Sequence, residues 1–194
     1  MDSASTNWFA SLARTAVGDA SATLTASDGA DTVYRRSRHD LRASDLTRWR
    51  YEVESDGETT VQYCDGITLD FSMAGRTSTT PVPSGEEPDD PLFFYSWIGV
   101  VDTWLVEMLR PAELLSRLEI ASIAAPQDGE VHIDATPLGN EPSPYSGIAL
   151  PDGRRLELLF DTERMVCHTA RATLPPVEGT TTVFTYTVTN LMEA

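Results

Sequence analysis

Arg48-Trp49-Arg50-Tyr51-Glu52-Val53-Glu54-Ser55-Asp56-Gly57 is the stretch whose reading decides the fold. Trp49, Tyr51 and Val53 alternate with Arg48, Arg50, Glu52 and Glu54, so an extended chain here has one apolar and one charged face. That alternation marks a half-buried strand of an antiparallel sheet. Asp56-Gly57 then closes the strand with two residues that tolerate positive φ, which favours a tight hairpin turn.

Working outward, the same pattern recurs. Asp-Gly pairs stand again at Asp28-Gly29, Asp65-Gly66, Asp128-Gly129 and Asp152-Gly153. Apolar residues alternate in Ile67, Leu69, Phe71 and Met73, in Val131, Ile133 and Ala135, in Leu156, Leu158 and Phe160, and in Phe184, Tyr186 and Val188. A slip of one residue would turn each set out to water, so the register is strongly specified. Thr181, Thr185, Thr187 and Thr189 place β-branched polar side chains on the opposite face of the last strand. The pattern predicts a mainly β (α+β) chain of about nine to eleven strands.

Three segments break the alternation and predict helices: residues 7–17 with Asn7 as N-cap, the aromatic stretch 95–109, and a turn from Pro111 to Leu118. Trp97, Val101, Trp104, Leu105 and Met108 form one apolar stripe at helical spacing, with Asp102 and Glu107 off it. Residues 75–91 and 137–151 are rich in Pro, Gly and polar residues, and read as flexible loops.

A chain of 194 residues with 41% hydrophobic content can fill one core, so one domain is expected. Acidic residues number 30 against 14 basic ones, all Arg, for a formal charge of -16. Such a field keeps a protein soluble and monomeric, and it repels nucleic acid and anionic membrane surfaces. The longest apolar run, Leu92 to Val101, is far shorter than the ~20 residues of a membrane-spanning helix. Met1-Asp2-Ser3-Ala4-Ser5 lacks the basic and apolar parts of a secretory signal. A cytoplasmic location is expected for the chain as it stands, and the cell envelope where a leader has been removed. Cys64 and Cys167, distant in sequence, read as two buried reduced thiols or one disulfide, not as a zinc or CxxC site.

Chemistry is sparse. His39, His132 and His168 each fall in a strand pattern without a metal-ligand spacing, and His132 and Asp134 share a strand face as a surface pair. The signatures GxSxG, GxGxxG, GxxxxGK[ST] and HExxH are all missing, so neither an enzyme nor a cofactor is expected. Glu86-Glu87 and Asp89-Asp90 read as solvated charge. Arg35-Arg36-Ser37-Arg38 is the one concentrated basic patch, paired with neighbouring carboxylates or free to dock an acidic partner. Phe93, Phe94, Tyr95, Trp97 and Trp104 crowd one segment, as core or as the lining of a cavity.

The order of these pieces resembles the lipoprotein-carrier (LolA/LolB-like) superfamily, which also includes mycobacterial lipid-carrying lipoproteins and an envelope-stress sensor domain. The steps that carry the resemblance are Arg48-Trp49 through Gly57, then Cys64-Asp65-Gly66-Ile67-Thr68-Leu69, and Arg110-Pro111-Ala112-Glu113-Leu114-Leu115. Leu150-Pro151-Asp152-Gly153 leading to Leu156-Glu157-Leu158-Leu159-Phe160-Asp161 and Glu163-Arg164 completes the series, which looks most like actinobacterial members. The resemblance implies a strongly curved antiparallel sheet, an unclosed barrel with two to three helices over its concave face and an apolar cavity between. It implies a non-catalytic carrier of a hydrophobic small molecule or a lipidated protein, lined by Trp49, Tyr51, Phe71, Phe94, Trp97, Val101, Trp104, Leu105, Met108, Leu158 and Phe160. The alternative is a protein-interaction or sensor module on the same fold with a packed core.

Overall fold

The computed structural model describes residues 19–45, 48–81, 104–109, 111–124, 128–139, 147–164 and 166–192. The decisive stretch folds as read. β3 (Arg48–Ser55) turns through Asp56 and Gly57, both at positive φ, into β4 (Glu58–Cys64). Trp49 and Tyr51 are buried, whereas Arg48, Arg50 and Glu54 are exposed. Before this hairpin lie β1 (Asp19–Asp28) and β2 (Val33–Asp45), and after it β5 (Thr68–Met73) and β6 (Arg76–Pro81). Two helices follow, α1 (Trp104–Leu109) and α2 (Pro111–Ser116). The chain then forms β7 (Leu118–Ile123), β8 (Glu130–Pro137), β9 (Arg155–Asp161), β10 (Val166–Thr173) and β11 (Thr182–Met192).

All eleven strands pair antiparallel in one sheet, in the order β6-β5-β4-β3-β2-β1-β11-β10-β9-β8-β7. Two meanders of hairpins are thus joined by the pairing of the first strand with the last. That pairing is the longest-range contact of the sheet, and it makes the fold a single layer rather than two separate ones.

The structure corrects several expectations. The sheet is open, with β6 and β7 as its two edges, and is neither closed nor strongly curled. The helices are one and a half turns each, so they cap the sheet locally instead of spanning a concave face. Of the loop expected at 75–91, Arg76–Pro81 forms the edge strand β6, nucleated by Ala74 and Gly75 at positive φ, a turn pair without Asp. Within 137–151, Ile148 and Ala149 belong to the core. Residues 7–17 and 95–103 lie outside the described residues.

The inward parity of each strand builds one core: Ala20 and Ala22 from β1, Leu41 from β2, Trp49 and Tyr51 from β3, Leu156, Leu158 and Phe160 from β9, and Ala170 and Ala172 from β10. The small residues of β10 leave room for α1, which packs on it with Trp104, Leu105 and Met108 almost completely buried. α1 packs on β10, and α2 sits against β7.

Candidate functional site

Among the described residues the inner face divides into a part under α1, the covered part, and a part on β3 to β5 that no described helix packs against, the open part. In the covered part, Trp104 stands edge-on to His39 at 4.9 Å and tilted against Tyr186 at 5.0 Å, which ties α1 to β2 and β11. His39, read from sequence only as part of a strand pattern, is 1% exposed. Its Nε2 shares a 2.7 Å hydrogen bond with Ser37 Oγ, and its Nδ1 shares one of 2.7 Å with the Tyr51 hydroxyl. Burial holds its pKa down to about 4, against the opposing pull of Asp40. The ring is therefore neutral near pH 7 and bonds at both nitrogens, as a buried imidazole requires. Ser37, His39 and Tyr51 have the order of a nucleophile, a base and an orienting group, but all three are more than nine-tenths buried. These three side chains satisfy one another's polar atoms inside the core.

Two further buried polar groups fasten α1 and the 147–154 segment. Glu107, read as lying off the apolar stripe, is completely buried. Burial pushes its carboxyl upward, and Arg117 and the Ile148 N–H, which donates at 2.7 Å, pull it back. Gly147 makes room for it, since a Cβ there would lie 2.3 Å from Glu107 Oε1. Arg154 grips Asp152 with its Nε at 2.7 Å and its Nη2 at 2.5 Å, donates to the Ile148 carbonyl at 3.2 Å and bonds Tyr186. Those Arg154 bonds hold the Asp152 carboxyl below its usual range. Asp152, expected as half of a turn, is thus also the clamp of a buried guanidinium.

The open part lies on β3, β4 and β5. Register sets Leu41, Tyr51, Gln62, Phe71 and Ser78 side by side across β2 to β6. Apolar residues continue from the buried Trp49 and Tyr51 through Val53, Leu69 and Phe71, which are half-buried, to Met73, which is 46% exposed. Phe71 stands outside the core cluster, although Leu69 packs against it. Gln62 is 1% exposed, yet its Oε1 and Nε2 both lack a hydrogen-bond partner. The Trp49 Nε1 is also buried and unpaired, as is the Trp104 Nε1. Each such atom costs about 1–3 kcal/mol relative to a satisfied one.

Of the residues expected to line a cavity, Trp49, Tyr51, Trp104, Leu105, Met108, Leu158 and Phe160 are gathered in the one core cluster, and Phe71 stands at its margin. Phe94, Trp97 and Val101 lie outside the described residues. Sequence reasoning missed Gln62, Ser37 and Arg154. The signal for Gln62 was its parity: it occupies an inward position between the apolar residues Tyr51 and Phe71.

The outer face is charged. A groove of about 350 Å³ runs over β2 and β3, lined by Arg38, Asp40, Arg42, Arg50, Glu52 and Glu54. Arg38 Nε donates to Asp40 at 3.0 Å, and Arg50 pairs with Glu52, so part of the basic patch is neutralised locally. His132, at the surface, lies 3.6 Å from Asp134, and the half-buried His168 lies 3.0 Å from Glu130. Cys64 and Cys167 are buried and form no disulfide, and burial raises the Cys167 pKa, keeping it protonated. Among the described residues, no helix is long and apolar enough to cross a membrane.

No family model matches the chain. No curated protein matches it either. Among solved structures, it is similar to LprF from Mycobacterium bovis, at 12% identity over 97% of this chain and 90% of that one, with a TM-score of 0.42. It is similar to a LolA superfamily protein from Nitrosomonas europaea, at 8% identity over 100% and 96% of the two chains, TM-score 0.34. A DUF1329 family protein from Desulfovibrio piger matches at 8% identity over 98% and 93%, TM-score 0.33. At these scores the strand order and register above remain the ground for describing the fold.

Proposed function

We propose that this chain is a non-catalytic binding or carrier protein that holds a hydrophobic ligand, a lipid or a lipoprotein acyl chain, against the open part of its inner face. The observation that carries this reading is the apolar strip that starts in the core at Trp49 and Tyr51 and leaves it at Phe71 and Met73. An acyl chain lying along such a strip gains about 0.8 kcal/mol for each buried methylene. Eight buried methylenes then give about 6 kcal/mol before the cost of association, with no catalytic group needed. Few well-placed polar groups on a mainly apolar surface are the usual composition of a ligand site.

The test is direct. Organic extraction of the purified protein followed by mass spectrometry is expected to release an apolar ligand, and the stripped protein is expected to bind a fluorescent apolar probe. Phe71→Asp should abolish probe binding while leaving the unfolding transition cooperative. A stripped wild type that binds no probe ends this reading.

A second reading, a protein-interaction or sensor module with a ligand-free core, is favoured by one observation. Trp104, Leu105, Met108, Leu158 and Phe160 are each at most 1% exposed and packed in a single cluster. The covered part is filled by its own side chains, so the first reading places its ligand on β3 to β5 rather than beneath α1.

A further inference from the structure

Gln62 does not fit an apolar strip that serves hydrocarbon alone. Leu or Met would fill an inward position of β4 without leaving polar atoms in a dry place. Here an amide sits between Tyr51 and Phe71 in the cross-strand row, with its acceptor Oε1 and its donor Nε2 both unpaired. Trp49 faces the same side of β3 two residues from Tyr51, which makes it the diagonal neighbour of Gln62 across the β3–β4 pair, within reach of long side chains. Its Nε1 is a third unpaired buried atom. One acceptor and two donor atoms, all without a partner, thus lie on neighbouring inward side chains where the strip leaves the core.

We propose that Gln62, with Trp49, is the polar anchor of the ligand: it selects an uncharged acyl compound whose carbonyl lies next to an N–H or O–H donor. A carbonyl whose donor lies on the same side, as in a monoacylglycerol, accepts from Gln62 Nε2 while that donor bonds Gln62 Oε1. A trans secondary amide, whose C=O and N–H point opposite ways, accepts from Trp49 Nε1 while its N–H bonds Gln62 Oε1. Charge decides against an ionised fatty acid. The cross-strand and diagonal neighbours of Gln62, namely Trp49, Tyr51, Val53, Leu69, Phe71 and Met73, carry no cation, the inner-face Arg35 and Arg76 stand further along β2 and β6, and the chain carries a formal charge of -16. A carboxylate at Gln62 would be an unpaired buried charge. N-acyl amides and monoacylglycerols both have the required carbonyl and donor. This inference rests on the reading that the open part of the inner face binds an apolar ligand.

The experiment compares decane, methyl decanoate, N-decylacetamide, monodecanoylglycerol and sodium decanoate as competitors of a fluorescent apolar probe on the stripped full chain. The wild type should bind N-decylacetamide or monodecanoylglycerol, whichever source it serves, about tenfold more tightly than decane, as expected for two hydrogen bonds. Methyl decanoate, which lacks the donor, should fall between, and decanoate should be the weakest. Gln62→Leu, and Gln62→Met as the unbranched replacement, should erase the preference while decane binds as before or better, and the free protein should melt at a higher temperature. A variant that keeps the preference, or a wild type that binds decane and the amide equally, overturns the anchor while the apolar site stands. A wild type that binds none of the five overturns the site and the anchor together.

Discussion

Phe160 and Phe71 are both aromatic residues at inward positions of alternating strands, with apolar neighbours two residues away, yet they have opposite fates. Phe160 is completely buried in the main cluster, whereas Phe71 is half-buried and outside it. Among the described residues, the difference lies in what packs over each strand. β9 belongs to the region under α1, which packs on the adjacent β10, while β5 lies next to the exposed edge strand β6. Alternation tells which face of a strand is apolar; a second layer decides whether that face is core or binding surface.

The largest expected effect sharpens this contrast. Phe160→Ala should destabilise the protein by about 3–5 kcal/mol, and Phe71→Ala by no more than about 1 kcal/mol, in urea unfolding with an unchanged slope. Equal costs would erase the division between the two parts.

The next effect probes the covered part through its proton. His39 titrates at about 4 in the folded protein against 6.5 in an exposed chain, so the unfolded state binds the proton more readily. Its contribution is complete above pH 6.5, falls as the pH drops from 6.5 to about 4, and stops changing below that. Between pH 7 and 5, stability should fall by about 2 kcal/mol, and His39→Gln should flatten that slope. The depressed carboxylates of Asp65 and Asp152 act lower, losing their contribution below the ordinary value of 3.8. A flat wild-type profile between pH 7 and 5 would show that His39 is reached by water.

Gly147→Ala should cost about 2 kcal/mol, because the new Cβ displaces Glu107 and leaves the Ile148 N–H without its acceptor. Faster amide exchange at Ile148 is the accompanying sign. The smallest effect runs the other way: in the open part, Gln62→Leu should stabilise the free protein by about 1 kcal/mol, since it removes two unpaired polar atoms. A loss of stability in thermal unfolding would mean that Gln62 has a partner in the free protein.

Much of the fold was legible in the sequence. The Trp49-Tyr51-Val53 alternation, the Asp56-Gly57 and Asp128-Gly129 turns, and the inward sets of β8 and β9 stand as read. The turns at Ala74-Gly75 and Glu178-Gly179 escaped because glycine supplies half of the positive-φ pair and the other residue gives no signal. The site was less legible. His39, Glu107 and Arg154 look like surface residues in their own segments, and each is buried only because a distant element closes over it: Trp104 over His39, the 147–149 turn against Glu107, and Tyr186 beside Arg154.

By itself the sequence determined local geometry: which residues alternate, where hairpins turn, and that no common catalytic signature is present, all matters of neighbours a few positions apart. Only the tertiary structure decided that β1 pairs with β11, that the sheet stays open, and that the inner face is packed under α1 and leaves Gln62 buried and unsatisfied on β4. The reason is physical. Periodicity is set by the chain's own repeat, but burial and hydrogen-bond satisfaction depend on groups brought together from far along it.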